Sequence, residues 1–333
     1  MIRPRISLVA FGSVLFSLGC GASTPPAAAP TARIDASNTA VIEAQAPPDE
    51  PLAAVEPAPV SDPREEVTEV EVEPPVDAPE LPLWDRAITL RPEVEARVRE
   101  IASRRARSAD VFIKVGDSAT VSRTFMRCFA FDEGLALDGR DELRPTIEAV
   151  RSARVQGGTS FTRDSEAAGV GWSVSRVLRG SPTPIAEEVR ALSPRFALVM
   201  FGGNDIELGR LGRYETRMAT LVERLAGWGV VPVLSTIPRR NDDAEADAQV
   251  PRYNAVVRAL AESQNLPLVE FAEGVDALPR HGLASDGVHP NSPVVDGRAQ
   301  GCDFTAHGLE HGQNARNLLN LRMLQHLREL LAE

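Results

Sequence analysis

The sequence predicts an α/β fold for residues 84–333, a three-layer sandwich with a central parallel sheet. Two observations predict it: short apolar runs alternate with segments of helical spacing, and polar motifs lie in the loops that follow three of the apolar runs. Buried strands separated by helices are typical of a parallel sheet that is covered on both faces. Ligands of such sheets bind beyond the carboxyl ends of the strands, so the polar residues there are the functional candidates.

Five strands and six helices are predicted in this region from the spacing of its apolar residues. The predicted strands are 111–115, 153–156, 196–201, 230–237 and 266–271. The predicted helices are 90–107, 165–178, 185–192, 214–228, 250–264 and 314–331. The last helix has an apolar stripe formed by Leu318, Leu319, Leu321, Leu324, Leu327 and Leu331.

Composition excludes some classes of protein and divides the chain in two. Residues 21–83 hold 13 acidic residues against two arginines, and 13 of the 26 prolines, whereas residues 84–333 carry a net charge of about −2. A nearly neutral domain lacks the basic face that nucleic acid requires, so we predict no nucleic-acid partner. The region from residue 84 onward is long enough for one domain whose core needs no metal or disulfide.

The first twenty residues predict an export signal. Two arginines precede an apolar run, 6–18, that is shorter than the roughly 20 residues of a membrane-spanning helix. The sequence Ser-Leu-Gly-Cys at 17–20 resembles the cleavage box of bacterial lipoproteins, although that box prefers leucine at its first position. The resemblance implies a signal peptide over 1–19 and a lipidated Cys20. The chain would then be anchored to the bacterial cell envelope, on the outer membrane facing the periplasm or the exterior. An ordinary signal peptide with an unrelated cysteine is the alternative.

Residues 20–83 alternate proline, alanine, valine and glutamate without apolar periodicity. Such a segment buries too little surface to offset its chain entropy, so we expect it to be disordered. It is interpreted either as a tether that holds the domain away from a membrane or as a linker of no selected length.

The polar residues at the strand ends are a serine, an asparagine and an aspartate–histidine pair. Ser118 ends a Gly-Asp-Ser motif after the first strand, and Asn204 lies in a Gly-Gly-Asn-Asp motif after the third. Asp286 and His289 lie in an Asp-Gly-Val-His motif after the last strand. A serine hydroxyl needs a base to take its proton, and His289 with Asp286 supplies one. The Asn204 amide and the Ser118 backbone N–H are candidate donors to the oxyanion.

These three motifs resemble, in order, three of the four sequence blocks of the SGNH/GDSL hydrolase superfamily, and the resemblance covers about residues 108–333. It implies a flavodoxin-like three-layer sandwich and hydrolysis of esters or thioesters without a cofactor. By motif match, Ser118 is the nucleophile, His289 the base, Asp286 its orienting group and Asn204 an oxyanion donor.

The remaining block of that superfamily supplies a glycine after the second strand. Gly158 is assigned to this role as a third oxyanion donor, because it lies at the predicted strand-to-helix turn. The alternatives in the sequence are Gly157, Gly169, Gly171, Ser160, Arg163 and Ser165. We expect Asp117, Gly202 and Asp205, which adjoin the catalytic residues, to support the two loops.

Cys128 and Cys302 each follow a catalytic motif at a similar distance, and in an exported protein they are candidates for a disulfide. Two separate buried thiols are the alternative.

His307 and His311 have a spacing that can chelate a metal on a helix, but glycines interrupt the segment and no Cys-x-x-Cys pair occurs. We therefore predict neither a metal site nor a cofactor.

The combined interpretation is an exported, lipid-anchored serine esterase that acts through an acyl-enzyme on acyl esters, possible substrates being O-acetyl groups of envelope or extracellular glycans. A lysophospholipase or thioesterase of the same superfamily is one alternative. A catalytically inactive lipoprotein that binds glycan is another.

Overall fold

Four parallel strands form the central sheet of the domain in a computed structural model that describes residues 81–333. In spatial order they are β1 (Phe112–Gly116), β2 (Phe196–Met200), β3 (Val231–Ser235) and β4 (Leu268–Val269). The predicted signal peptide 1–19, Cys20 and the predicted tether as far as residue 80 lie outside the described residues.

Ten α-helices and a small antiparallel hairpin complete the described part of the chain. The helices are α1 (Pro92–Ser103), α2 (Ser118–Val121), α3 (Arg144–Ser152), α4 (Val174–Val177), α5 (Pro184–Leu192), α6 (Gly203–Glu207), α7 (Leu211–Gly227), α8 (Ala244–Ser263), α9 (Phe271–Asp276) and α10 (Gly312–Ala332). The hairpin pairs β5 (Val294–Val295) with β6 (Arg298–Ala299). Short 3-10 helices span Leu83–Asp85, Arg127–Ala130, Asp141–Leu143, Pro279–Gly282 and Gly308–Glu310. Within 81–333 no helix has both the length and the apolar character of a membrane span.

The register of the sheet brings its polar loops to one edge. Phe112 of β1 lies opposite Phe196 of β2, and Gly116 lies opposite Met200, so both strands end at the same level. Ala168 makes a further parallel bridge to Gly116 at the outer edge of β1. If the Ala168 segment is counted as the second strand in chain order, the spatial order of the strands is 2-1-3-4-5, as in flavodoxin-like folds. In those folds the ligand crevice opens between the ends of the first and third strands in chain order, which here are β1 and β2.

Helices flank this sheet in two groups. Helix α7 contacts β3, α4 and α8, whereas α10 contacts α1, α3 and α9. Each group turns its apolar residues to the core: Leu221 and Leu225 of α7 are buried, as are Leu321 and Leu324 of α10. The three-layer α/β sandwich predicted from the sequence is thus confirmed.

Two predicted elements of this fold are wrong, and both lie between β1 and α5. Residues 153–156 form no strand, because Val155 and Gly158 close a tight turn by pairing with each other. Residues 165–178 are helical only over α4, because Gly169 continues the bridge to β1 and Gly171 adopts a φ of +71°. The edge strand in this region is the single bridge between Ala168 and Gly116, which is too short to show the alternation of apolar and polar residues by which strands are recognised.

Candidate active site

Ser118 is the first residue of α2, directly after β1, where the chain turns from strand to helix. The Asp117 carboxylate accepts a hydrogen bond from the Ala119 backbone N–H at 3.1 Å and thereby caps the helix. A Cβ at Gly116 would overlap the Thr120 hydroxyl, so only glycine permits this close approach of strand and helix. The tight turn directs Ser118 to the rim of the sheet.

His289 and Asp286 reach this rim from the loop that precedes the β5–β6 hairpin. The His289 Nε2 atom is 2.7 Å from the Ser118 Oγ atom, and the His289 Nδ1 atom is 2.8 Å from Asp286 Oδ2. The other oxygen of Asp286 accepts hydrogen bonds from the backbone N–H groups of Val288 and His289, both at 3.0 Å. Hydroxyl, imidazole and carboxylate form one continuous hydrogen-bonded chain.

The charge of Asp286 decides which imidazole nitrogen carries the proton. Burial pushes the pKa of Asp286 upward, but the backbone and imidazole hydrogen bonds outweigh it, and the pKa lies below its ordinary value. An ionised carboxylate can only accept, so His289 Nδ1 donates to it and Nε2 is left to accept from the Ser118 hydroxyl. This is the tautomer that a general base requires.

A cavity of about 320 Å³ opens beside the Ser118 hydroxyl, and most of its wall is apolar. Asn204, at the start of α6, lines it together with Ser118 and His289. The backbone of Gly202, which precedes α6, has a φ of +140°, and a Cβ there would lie 2.9 Å from Ile237. Glycine at this position therefore lets the Asn204 loop pack against the end of β3.

The prediction for Gly158 is wrong, because this residue lies elsewhere and does not line the cavity. The segment that follows it runs beside the first half of β1, where the Ser160 hydroxyl accepts from the Phe112 N–H. The rim is reached only later, by Val170 and Gly171, which do line the cavity. Because the sequence predicts a helix over 165–178, it assigns the glycines of this later segment to that helix and not to the rim.

Asp205 connects the Asn204 loop to the segment that carries Gly171. Both of its carboxylate oxygens are within 3.2 Å of the Val174 backbone N–H, and burial raises its pKa to about 7. Burial likewise raises the pKa of Asp117, against the effect of the Arg316 guanidinium. The carboxylate of Asp205 thus connects the Asn204 loop to the start of α4 and not to the Ser118 turn.

Arg316 is a supporting residue that the sequence analysis missed. It is fully buried in α10 and donates to the Ala119 carbonyl at 2.7 Å and to the Thr120 hydroxyl at 3.2 Å. Its guanidinium stacks 3.8 Å from the Phe125 ring centroid, and burial lowers its pKa to about 9. The sequence feature that indicates a buried Arg316 is the run of polar residues at the start of α10. These residues occupy positions at which an amphipathic helix normally buries apolar side chains.

Arg240, in the loop that follows β3, also lines the cavity wall. It donates to the Gly203 carbonyl at 3.2 Å and to the carboxylates of Glu207 and Asp242 at 2.8 and 2.6 Å. The adjacent Asn241 N–H donates to the Gly287 carbonyl at 2.8 Å. One loop therefore links the Asn204 helix to the Asp286–His289 turn.

Cys128 and Cys302 form a disulfide, with their Cα atoms 5.8 Å apart. The Asn317 amide lies beside it and donates to the carbonyls of Thr124 and Gly301, both at 2.7 Å. The disulfide and the hydrogen bonds of the Asn317 amide together connect the segment after α2 to the segment before α10.

In residues 81–333 no group of three or more His, Cys, Asp or Glu side chains is arranged to hold a metal ion.

Comparison with known proteins gives one family match. The family model described as GDSL-like lipase/acylhydrolase matches residues 115–293. Two similar solved structures are a lipase/acylhydrolase from Enterococcus faecalis and the acetylxylan esterase Axe2 from Geobacillus stearothermophilus. The first is 16% identical, covers 66% of this chain and 96% of its own, and has a TM-score of 0.41. The second is 19% identical, covers 66% and 95%, and has a TM-score of 0.42. No curated protein matches the sequence significantly.

Proposed function

The chain belongs to the GDSL-like lipase/acylhydrolase family, and from this premise we propose that it is an exported, lipid-anchored serine esterase. The observation that carries the proposal is the chain of hydrogen bonds from Ser118 Oγ to His289 Nε2, and from His289 Nδ1 to Asp286. A serine hydroxyl is a weak nucleophile at neutral pH unless a base takes its proton. Here the base lies within hydrogen-bond distance, with its tautomer set by an ionised carboxylate.

In the first half of the reaction, the Ser118 Oγ atom attacks the ester carbonyl carbon and its proton passes to His289 Nε2. The carbonyl oxygen becomes an oxyanion, which accepts from the Ser118 backbone N–H and the Asn204 side-chain amide. The Asp286 carboxylate stabilises the imidazolium that forms. His289 then gives its proton to the leaving alkoxide oxygen, the ester bond breaks, and an acyl-enzyme remains.

In the second half, His289 takes a proton from a water molecule as that water attacks the acyl carbonyl. The tetrahedral intermediate uses the same oxyanion donors. When it collapses, the bond to Ser118 Oγ breaks, His289 returns the proton to that oxygen, and a carboxylic acid leaves. No cofactor takes part in these steps.

The size of the cavity supports a short acyl group. Its volume of about 320 Å³ is near the lower end of the roughly 300–1,000 Å³ that is typical of small-molecule sites. We propose O-acetyl groups on an envelope or extracellular glycan as the substrate class. A lysophospholipase or thioesterase is the second candidate, and exposed Val170 and Leu208 beside the site favour it as a surface for a longer chain.

The first experiment asks whether Ser118 is the nucleophile. A fluorophosphonate probe should label the wild-type protein and fail to label Ser118→Ala, because the probe reacts with an activated serine oxygen. The same variant should lose p-nitrophenyl acetate turnover by a factor on the order of 10⁶ while it retains its fold. Ser122→Ala, four residues along the chain, is the matched control and should keep both properties.

The outcomes of that experiment divide the candidates. Retained turnover in Ser118→Ala would remove the mechanism, and an unlabelled, folded wild type would favour the inactive glycan-binding alternative. In a panel of p-nitrophenyl esters, the acetyl-glycan proposal expects acetate to be preferred. A preference for octanoate would favour the lysophospholipase or thioesterase.

The anchor rests on the first twenty residues, outside the described part of the chain. If Cys20 is lipidated, Cys20→Ser should move the protein from the membrane fraction to the soluble fraction after cell lysis. An unchanged membrane fraction in that variant would remove the lipid anchor and leave the esterase proposal intact.

A further inference from the structure

A second cavity, of about 260 Å³, lies at the opposite end of helix α2 from the nucleophile. Ser118 and Ala119 line the active-site cavity, whereas Thr120 and Val121 of the same helix line this one. The side chain of Lys114, from the middle of β1, also lines it. We call it the Lys114 cavity, and the proposed hydrolysis makes no use of it.

The lining of the Lys114 cavity carries an excess of positive charge. Its charged side chains are Lys114, Arg123, Arg127, Arg163 and Asp164. Arg163 is compensated by the fully buried carboxylate of Glu188, 2.9 Å away. The contact of Arg127 with Asp164 is long, 3.4 Å, and the Asp164 side chain is 96% exposed. In residues 81–333 neither Lys114 nor Arg123 forms an ion pair within 4.0 Å, so the cavity is strongly cationic.

Lys114 is the buried member of this group, with only 7% of its surface exposed. Its ammonium has three N–H donors, and the hydrogen bond that it donates within the described chain goes to the Phe161 carbonyl, at 3.3 Å. Burial lowers its pKa to about 8, partly opposed by Asp164 and Glu188. A buried charge with so few partners costs free energy unless an ion of opposite charge compensates it.

The identity of residue 114 is itself unusual in this sequence. Lys114 is the only lysine of the chain, against 35 arginines. A compact ammonium on a flexible stem acts as a point charge at the floor of a cavity, whereas a guanidinium is a wide planar fork. Arginine occupies every other basic position, so the exception coincides with the one basic side chain that extends from a central strand.

We propose that the Lys114 cavity binds an oxyanion of the phosphate or sulfate class, held by Lys114, Arg123 and Arg127. Cations from β1 and from the segment after α2 surround one space, which matches the several acceptor oxygens of a tetrahedral anion. A doubly charged anion also neutralises this lining better than a monocarboxylate does. The occupant is a free inorganic anion or a phosphate or sulfate group on a larger molecule, since both present the same oxygens.

The single lysine provides a direct test. Biosynthetic labelling with lysine that carries ¹³C at Cε alone gives one lysine side-chain NMR signal from the full chain in detergent. Inorganic phosphate and sulfate should each shift this signal saturably, whereas chloride at equal ionic strength should not. Arg123→Gln should weaken phosphate binding about tenfold, because it removes one charge-assisted hydrogen bond. Arg213→Gln, an exposed arginine on α7, is the matched control and should bind like wild type.

The absence of a saturable shift with phosphate and with sulfate would overturn the proposal. So would equal affinities of Arg123→Gln and Arg213→Gln, because the effect would then be non-specific. Glucose 6-phosphate distinguishes the two sources: binding comparable to inorganic phosphate indicates an esterified occupant, and binding of the inorganic anions alone indicates a free anion. This readout does not use ester hydrolysis, so its failure and the failure of the proposed esterase are distinguishable.

Discussion

The two cavities at the ends of helix α2 differ in how they compensate charge and polarity. In the active-site cavity, Ser118, His289 and Asp286 are joined by hydrogen bonds of 2.7 and 2.8 Å. In the Lys114 cavity, the ammonium donates one hydrogen bond of 3.3 Å to a carbonyl and has no ion-pair partner in residues 81–333. These opposite arrangements lie at the two ends of a helix of only four residues.

The difference distinguishes two kinds of polar site. A continuous chain of donors and acceptors defines a path for a proton and fixes one tautomer of the imidazole. It therefore suits a catalytic cycle in which the imidazole takes up a proton and later returns it. A set of cations around an open space has an uncompensated charge that a bound anion would neutralise. The first site should therefore respond to the loss of a single partner by losing rate, and the second by losing affinity.

Among the residues that assist Ser118, the largest effect is expected from Asp286→Asn, which interrupts the hydrogen bonds between carboxylate, imidazole and hydroxyl at the carboxylate end. An asparagine can donate to His289 Nδ1, which favours the tautomer in which Nε2 carries the proton and cannot act as a base. The kcat for p-nitrophenyl acetate should fall about 10⁴-fold, while the Lys114 NMR signal should stay where it is.

Asp296→Asn serves as the control for that variant, because Asp296 is exposed in the β5–β6 turn, where asparagine also tolerates its φ of +49°. It should keep the wild-type kcat. A kcat for Asp286→Asn within tenfold of wild type would contradict the orienting role of this carboxylate.

A smaller loss is expected from Asn204→Ala, which removes a donor and leaves the proton path intact. The kcat should fall by about 10²–10³, equivalent to about 3–4 kcal/mol, and KM should change little, because the donor acts on the transition state. Asn204→Asp keeps the size of the side chain but adds a negative charge, so its kcat should be lower still. Wild-type kcat in Asn204→Ala would exclude Asn204 as an oxyanion donor.

The parts of this site that the sequence predicts are those encoded in contiguous motifs. Ser118 and Asn204 each lie a few residues after an apolar run, and in a parallel sheet the ends of those runs share an edge. His289 lies farther along, in the long loop after the last strand, and is recognised by its Asp-Gly-Val-His motif. The helices with clear apolar stripes, such as α7 and α10, were also predicted within a few residues of their observed ends.

The parts that sequence reasoning missed depend on contacts between distant segments. Arg316 supports Ala119 and Thr120 across almost 200 residues, and no local pattern encodes that pairing. The edge strand at Ala168 is a single bridge, so it has no periodicity to recognise, and Gly158 was chosen in its place. The sequence predicts no role for Lys114, since the burial of this residue and the cavity around it exist only in the folded chain.

The last prediction concerns Asp205, a buried carboxylate that, like Lys114, lacks a partner of opposite charge within hydrogen-bond distance in residues 81–333. Burial raises its pKa from 3.8 to about 7, so between these values the folded state binds more protons than the unfolded state. The free energy of unfolding therefore falls as pH rises through this window and levels off above it.

Asp205→Asn removes this ionisation and keeps an acceptor for the Val174 N–H. The free energy of unfolding of the variant, relative to wild type, should increase by about 2–3 kcal/mol between pH 5 and pH 8, because each pKa unit corresponds to about 1.4 kcal/mol. Urea denaturation at several pH values measures it, with Asp296→Asn as the control that should follow wild type. A constant difference between Asp205→Asn and wild type from pH 5 to pH 8 would show that Asp205 ionises normally. The buried carboxylate would then have to be compensated by a group other than the Val174 N–H.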